Sequence, residues 1–189
     1  MIASAPNLLV VHPSLGLGTV EDLVKLARNK PGQISFSSAG DGTSGHLSAE
    51  LLANQAKIDV MHVPNKGQAD AISAVIRSDV AFAFVTVPGT LALVKEGRIK
   101  AIAVTSASRS ALVPDLPTVM QSGYKDFEVL DWYCMSAPAL VPKPIIDKLA
   151  SEIEKILQQP ATKEKLLSLG MEPNFKKGPE WDGYSLWST

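Results

Sequence analysis

The chain has few of the residues that fix a protein by covalent or metal chemistry. Its one cysteine, Cys134, excludes an internal disulfide and a cysteine-based metal cluster. A lone cysteine of this kind reads as a small buried apolar residue. Its low cysteine content suits cytoplasm and periplasm alike. Charge of one sign is also missing: 18 Lys and Arg face 19 Asp and Glu, for a net charge of -1. There is no basic run and no acidic tail, so a charged nucleic-acid surface is excluded and small molecules or proteins remain as partners. No run approaches the ~18 apolar residues of a membrane span. No signal peptide is read at the start, where Met1-Ile2-Ala3 leads almost directly into a strand. Internal repeats and low-complexity segments are absent as well.

What is present predicts a packed core. Hydrophobic residues make up 46% of the 189 and charged residues 20%, a globular balance for one domain or two small ones. Apolar runs and helical patterns alternate. Leu8-Leu9-Val10-Val11 reads as a strand buried on both faces. Thr19 caps a helix over residues 20–28, with Glu21 and Asp22 in its first turn. Strands are predicted at residues 34–36, 60–63, 79–85 and 99–104, and between them a helix over residues 47–55, one with Ala71, Ile72, Val75 and Ile76 on one face, and one through Leu91-Ala92-Leu93-Val94 that Gly97 stops. Residues 127–135 look extended. A long amphipathic helix follows over residues 145–158, then a shorter one from Pro160 to Gly170 and a last strand near Met171. Alternation of this kind predicts an α/β fold with a largely parallel sheet. In such sheets ligands sit at the carboxyl ends of strands, which singles out the loops at residues 38–44, 64–67 and 86–90.

The first of these loops organises the chain. Ser37-Ser38-Ala39-Gly40-Asp41-Gly42-Thr43-Ser44-Gly45-His46 lies between a strand and a helix. Glycine allows a tight turn and close approach to a ligand. Thr43 or Ser44 can cap the helix, whose first N–H groups then point outward, positively polarised, as a seat for an anion. Gly40-Asp41-Gly42-Thr43-Ser44-Gly45 also reads as the dinucleotide pattern G-x-G-x-x-G. That pattern needs an acid at the far end of the next strand, whereas Asp59 stands before that strand. A plain scaffold turn without a ligand is the remaining reading of the loop.

Catalytic constellations are missing. Ser44 is out of frame for a nucleophile elbow, since His46 occupies the second glycine position. His12, His46 and His62 have no metal-ligand spacing and read as hydrogen-bonded structural or surface groups, with His46 set apart by its place beside the anion-binding turn. Glu50 reads as solvated. No P-loop lysine follows the glycines. A binding protein fits these absences better than an enzyme.

Several motifs in order resemble one family. They are Val10-Val11-His12-Pro13-Ser14, Pro31-Gly32-Gln33-Ile34-Ser35-Phe36 running on through the glycine loop, His62-Val63-Pro64-Asn65-Lys66-Gly67, Ala101-Ile102-Ala103-Val104-Thr105-Ser106, Pro114-Asp115-Leu116-Pro117-Thr118, and Ala137-Pro138 with Pro142-Lys143-Pro144. The set resembles the Bug-type solute-binding receptors of tripartite tricarboxylate transporters, over residues 6–174. The resemblance implies a type II periplasmic-binding-protein-like fold of two lobes, one nearly complete here (residues 7–127) and the other partial (residues 128–178), with an atypical tail at residues 179–189. It implies an extracytoplasmic, periplasmic receptor that closes on a small di- or tricarboxylate or related organic acid and delivers it to the transporter's membrane subunits. By the same likeness the ligand would meet Ser38, Ala39, Gly40, Gly42, Thr43, Ser44 and His46 of the first loop, Asn65 and Gly67 of the second and Thr86 of the third. No catalytic residue, metal or cofactor is implied.

Three departures stand out. The family's chain is longer at the N-terminus, by roughly half a lobe. Many relatives carry an aspartate and a polar neighbour where this chain has Val85-Thr86, so an amino acid is not expected as ligand. The tail from Trp181 does not resemble the family's helix. Bare lobe surface points to self-association, and an incomplete cleft would bind weakly or not at all. Two other classes remain open: an effector-binding module of a regulator, and an enzyme using residues 40–45 for a nucleotide or phosphate.

Overall fold

The computed structural model describes residues 1–177; the tail expected at residues 179–189 lies outside the described residues. The chain divides into a larger unit, Pro6–Asp131, and a smaller one made of Met1–Ala5 with the residues from Trp132 onward.

The larger unit is built on a sheet of order β3-β2-β4-β1-β5. These strands are β1 (Ala3–Val11), β2 (Ile34–Ser38), β3 (Val60–Pro64), β4 (Phe82–Thr86) and β5 (Lys100–Val104). β2 pairs in parallel with β3, from Ile34↔Val60 to Ser38↔Pro64, and with β4 at Phe36↔Phe82. β1 runs antiparallel to both its neighbours, with Asn7 opposite Thr86 and Leu8 opposite Val104. The expected largely parallel sheet is therefore a mixed one. The apolar pattern could not show this, because a strand buried on both faces reads the same in either direction.

Alternate residues of β1 feed two cores, as the two-residue period of a strand requires. Leu9 and Val11 join Val20 and Leu23 of α1 (Val20–Asn29), Leu52 of α2 (Ser44–Ala56), Phe36, Phe82, Phe84 and Phe127. Leu8 and Val10 join Ile72 and Val75 of α3 (Gln68–Ile76), with Val85 and Ile99. Leu91 and Val94 of the short α4 (Leu91–Lys95) pack on that second core. Full burial of each large side chain contributes about 1.5–3 kcal/mol. α1 starts at a reciprocal capping box, Thr19 with Asp22. The Asp22 carboxyl lies below its usual range, chiefly because the Thr19 hydroxyl and the Gly18 N–H bond to it.

The smaller unit contains the end of β6 (Leu130–Tyr133), α5 (Lys143–Gln158), α6 (Pro160–Ser168) and β7 (Glu172–Pro173). β7 pairs with the first residues of β1, Ala3↔Pro173 and Ser4↔Glu172. α5 carries the expected apolar stripe but buries only Leu157 of it. Ile145, Leu149 and Ile156 are each about half exposed. A groove of about 220 Å³ runs between α5 and the chain start, lined by Met1, Ile2, Met135, Ile146, Leu149 and Ile153 among others. Cys134 is exposed, which corrects its reading as a buried apolar residue. It sits in the extended stretch that follows β6, where residues 132–141 are largely exposed and no layer covers them among the described residues. No helix of the described residues is long and apolar enough to cross a membrane.

One glycine seats α2 on the sheet. A Cβ at Gly45 would stand 2.5 Å from the Phe84 carbonyl oxygen, closer than real contacts allow, so the helix start and β4 meet backbone to backbone. Gly45→Ala is expected to destabilise the fold by about 3 kcal/mol through overpacking, measured by urea unfolding. Gly18→Ala, whose new methyl meets only ordinary contacts at 3.6 Å, is expected to stay within ~0.5 kcal/mol of wild type. Equal midpoints for the two variants would show that the close approach carries no stability.

Candidate functional site

The parallel strands β2, β3 and β4 end together, and their loops meet at that edge. The Asn65 N–H donates to the Ser38 carbonyl at 3.0 Å. Gln68, the first residue of α3, ties the third loop in: its Oε1 accepts from the Thr86 N–H at 3.2 Å and the Thr86 hydroxyl at 2.6 Å. Because β1 is antiparallel, its beginning arrives at the same edge, and Asn7 stands opposite Thr86.

These parts enclose a cavity of about 30 Å³, lined by Asn7, Ala39, Thr43, Ser44, Gly45, Gln68, Ala71, Phe84 and Val85. Of the sequence-predicted contacts, Ala39, Thr43 and Ser44 line it. The others form its frame. Ser38 is buried, and its hydroxyl bonds to the Gly40 backbone. Gly40 and Gly42 turn the loop with φ +132° and +74°. The Asn65 amide donates to the Val63 carbonyl, and Gly67 precedes α3 as its N-cap. The Thr86 hydroxyl is spent on Gln68. His46 faces away, its Nδ1 accepting from the Gly42 N–H at 3.0 Å.

The start of α2 stays open. Thr43 holds the N-cap position, but its side chain does not cap the helix; its hydroxyl donates instead to the Gly40 carbonyl at 2.8 Å. The first intrahelical bond runs from the Leu47 N–H to the Thr43 carbonyl. The N–H groups of Ser44, Gly45 and His46 thus have no intrahelical acceptor and carry the positive end of the helix dipole. Asn7 supplies a second, independent element. It is 1% exposed, its backbone N–H donates to the Thr105 hydroxyl at 2.8 Å, and neither its side-chain nitrogen nor its oxygen has a protein partner. Leaving such an amide unpaired costs about 1–3 kcal/mol. A ligand group that accepts from Nδ2 recovers that cost.

Sequence reasoning missed Asn7 because it lies inside an apolar strand, remote from every glycine loop. It also missed Asp131, whose carboxyl bonds the Ser44 hydroxyl. Burial pushes that carboxyl above its usual range, and the Ser44 hydrogen bond opposes the shift. No motif marks either residue; the pairing of strands brings them in.

Asp41, His46 and His62 also come together, each offering a ligand atom within 4.8 Å of the others. The sequence spacing did not reveal this group. The two imidazoles lie face to face, 3.9 Å between centroids and 9° from parallel. A metal lies in the plane of each ring that binds it, and two stacked, nearly parallel ring planes do not meet within bonding distance of both rings. The pair as arranged does not chelate one ion. Asp59, the acid of the dinucleotide reading, lies beside Gly32 at the opposite ends of β2 and β3.

Comparison with known proteins places the chain among binding receptors. The model of the tripartite tricarboxylate transporter family receptor matches residues 1–180. A UPF0065 protein from the tcbD-tcbE intergenic region of Pseudomonas sp. (strain P51) is 35% identical over 173 residues, 91% of this chain and 52% of that protein. Among solved structures, R. palustris Rpa4515 with adipate superposes with a TM-score of 0.85 at 31% identity, covering 96% of this chain and 60% of that one. MatC (Rpa3494) from Rhodopseudomonas palustris with bound malate gives a TM-score of 0.77 at 25% identity, covering 95% and 60%. The chain spans about half the length of the curated relatives it matches.

The Asn7 amide makes a measurable trade. Asn7→Leu replaces an unpaired buried polar group by an apolar one of similar size, so the ligand-free protein is expected to gain about 1 kcal/mol in thermal or urea unfolding. A loss of stability would show that the amide already has a partner inside the fold.

Proposed function

This chain belongs to the tripartite tricarboxylate transporter receptor family, and on that premise we propose that it captures a small dicarboxylate for the membrane subunits of such a transporter. Its family is one of periplasmic binding receptors, which are not enzymes. The proposal extends the periplasmic location to this chain. It takes residues 7–127 as lobe two and residues 128–178 as part of lobe one.

One observation carries the reading: the uncapped start of α2 and the unpaired Asn7 amide face the same 30 Å³ cavity. Such a cavity takes one carboxylate group and no nucleotide. The helix N–H groups and Asn7 Nδ2 are all donors, which suits an anion with four lone-pair sites. Adipate and malate in the structural neighbours are dicarboxylates, and either end of such a molecule fits this donor set. The position of Asp59 speaks against a nucleotide in the glycine loop.

The test is a thermal-shift series of the purified chain with adipate, malate and citrate, and with NAD and ATP alongside. A ligand at ~100 times its Kd adds about 2.7 kcal/mol to the folded state, so a clear rise in midpoint is expected with a dicarboxylate. Ser44→Pro removes one helix N–H at a position where proline suits the helix, and is expected to weaken that ligand about tenfold. A shift with a nucleotide alone would overturn the reading. No shift with any compound would overturn the carboxylate-capture reading for this chain.

The same proposal includes self-association. The half-exposed Ile145, Leu149 and Ile156 of α5 form an apolar face that the other described residues leave half uncovered, and a second copy is the partner that would cover it in a solution of the purified chain. Sedimentation equilibrium is expected to give a mass above the monomer, returned to the monomer by Leu149→Glu. A monomeric wild type would rule it out.

A further inference from the structure

The histidine pair beside the glycine loop is not spent on a metal, and its hydrogen bonds lead elsewhere. Phe82 stacks on Phe36 at 5.4 Å, and Phe36 meets both imidazoles, His62 at 4.9 Å and His46 at 6.2 Å, which stack on each other at 3.9 Å. The ring cluster joins the core to the loop. The two imidazoles hold two points of that loop. His46 Nδ1 accepts from the Gly42 N–H at 3.0 Å. His62 Nε2 shares a 2.7 Å hydrogen bond with the Ser38 hydroxyl, which also bonds the Gly40 N–H and carbonyl.

From this geometry we infer that His46 and His62 are positioning residues for the anion-binding loop, and that they hold it only while His46 Nδ1 is unprotonated. The inference rests on the carboxylate-binding reading above. The Gly42 N–H, on an exposed turn, donates to His46 Nδ1, and only the neutral ring with its proton on Nε2 supplies an acceptor there. A proton on Nδ1 sets two donors against each other. Gly42 then leaves the ring, and with it goes the turn that aims the start of α2 at the cavity.

Besides each other, the charged groups facing the pair are Asp41 from the loop, 3.4 Å from His62 Nδ1, and Glu50 from α2, 3.7 Å from His46 Nε2. β2 contributes Phe36 and Ser38, neither charged. Burial first, and then the charge on His46, hold His62 below the usual imidazole range, against the pull of Asp41 and Glu50. With ring centroids 3.9 Å apart, two imidazolium cations would repel, so the stacked pair does not hold two protons. Imidazole is the side chain that changes charge between about pH 5 and 8. Ligand affinity is thus highest at neutral to alkaline pH and falls as acid charges the pair.

Two variants separate this from a packing role. In His46→Asn the amide oxygen takes the place of Nδ1 as acceptor and does not titrate. His46→Leu keeps bulk and loses the acceptor. Adipate and malate affinities are measured by calorimetry from about pH 8 down to about pH 5, and the ligand's own titration cancels in ratios between variants at one pH. Wild-type affinity is expected to fall, relative to His46→Asn, by up to about tenfold per pH unit once one proton is taken up. His46→Leu is expected to bind weakly throughout, without the added pH slope. A constant ratio between wild type and His46→Asn, or a His46→Leu that binds as wild type does near pH 8, would overturn the inference.

Protection of the Gly42 amide against hydrogen exchange needs no ligand. It is expected to be high in wild type near pH 8 and lost in acid, to persist in His46→Asn, and to be absent in His46→Leu. This pattern without any carboxylate binding would sink the receptor reading and leave the positioning role standing. Carboxylate binding without this pattern would sink the positioning role alone.

Discussion

The contact on which the site depends is the backbone approach of α2 to β4 at Gly45. A side chain there would stand 2.5 Å from the Phe84 carbonyl, so the helix reaches the sheet only where glycine permits it. That approach sets the first turn of α2 at the sheet edge. It places Ser44 and Gly45, at the start of the helix, in the lining of a small cavity. The Thr43 hydroxyl, which would otherwise cap the helix, is drawn off to the Gly40 carbonyl. A helix with a satisfied cap has little to offer an anion; this one keeps its donors open.

Strand direction supplies the other half. With β1 parallel to its neighbours, Asn7 would lie at the far edge of the sheet. Antiparallel pairing with β4 and β5 places it opposite Thr86, within a wall otherwise made of Ala71, Phe84 and Val85. A buried amide with both polar atoms unpaired weakens the ligand-free fold, and proteins keep such groups where a bound partner completes them. Val85 makes the cavity wall apolar on that side. The Asp131 carboxyl bonds the Ser44 hydroxyl at the cavity's edge.

The loop is held from behind by aromatic stacking that begins in the core. Phe82 and Phe36 are fixed by the pairing of β2 with β4, and His62 and His46 both stack against Phe36 and against each other. Position is thereby transmitted from a dense core to a glycine-rich turn that has little rigidity of its own. The smaller unit contrasts with this. The apolar stripe of α5 is largely uncovered, and the chain spans about half the length of its curated relatives.

The sequence by itself determined the order of most elements and the family. Val and Leu runs, the Thr19 cap and the glycines at 40, 42 and 45 are local signals, and local rules of propensity and turn chemistry read them correctly. The motifs from Val10 to Lys143 named the receptor family because so many stand in order. Tertiary structure alone decided which way β1 runs, since an apolar run carries no direction. It therefore decided that Asn7 faces the cavity and that Asp131 meets Ser44. It also decided that Cys134 is exposed, because burial depends on what covers a strand and not on the residue. The stacking of His46 on His62, 16 positions apart in the chain, arises only when β3 lies beside β2 and α2 folds back over both; spacing along the chain holds no trace of a contact made across a sheet.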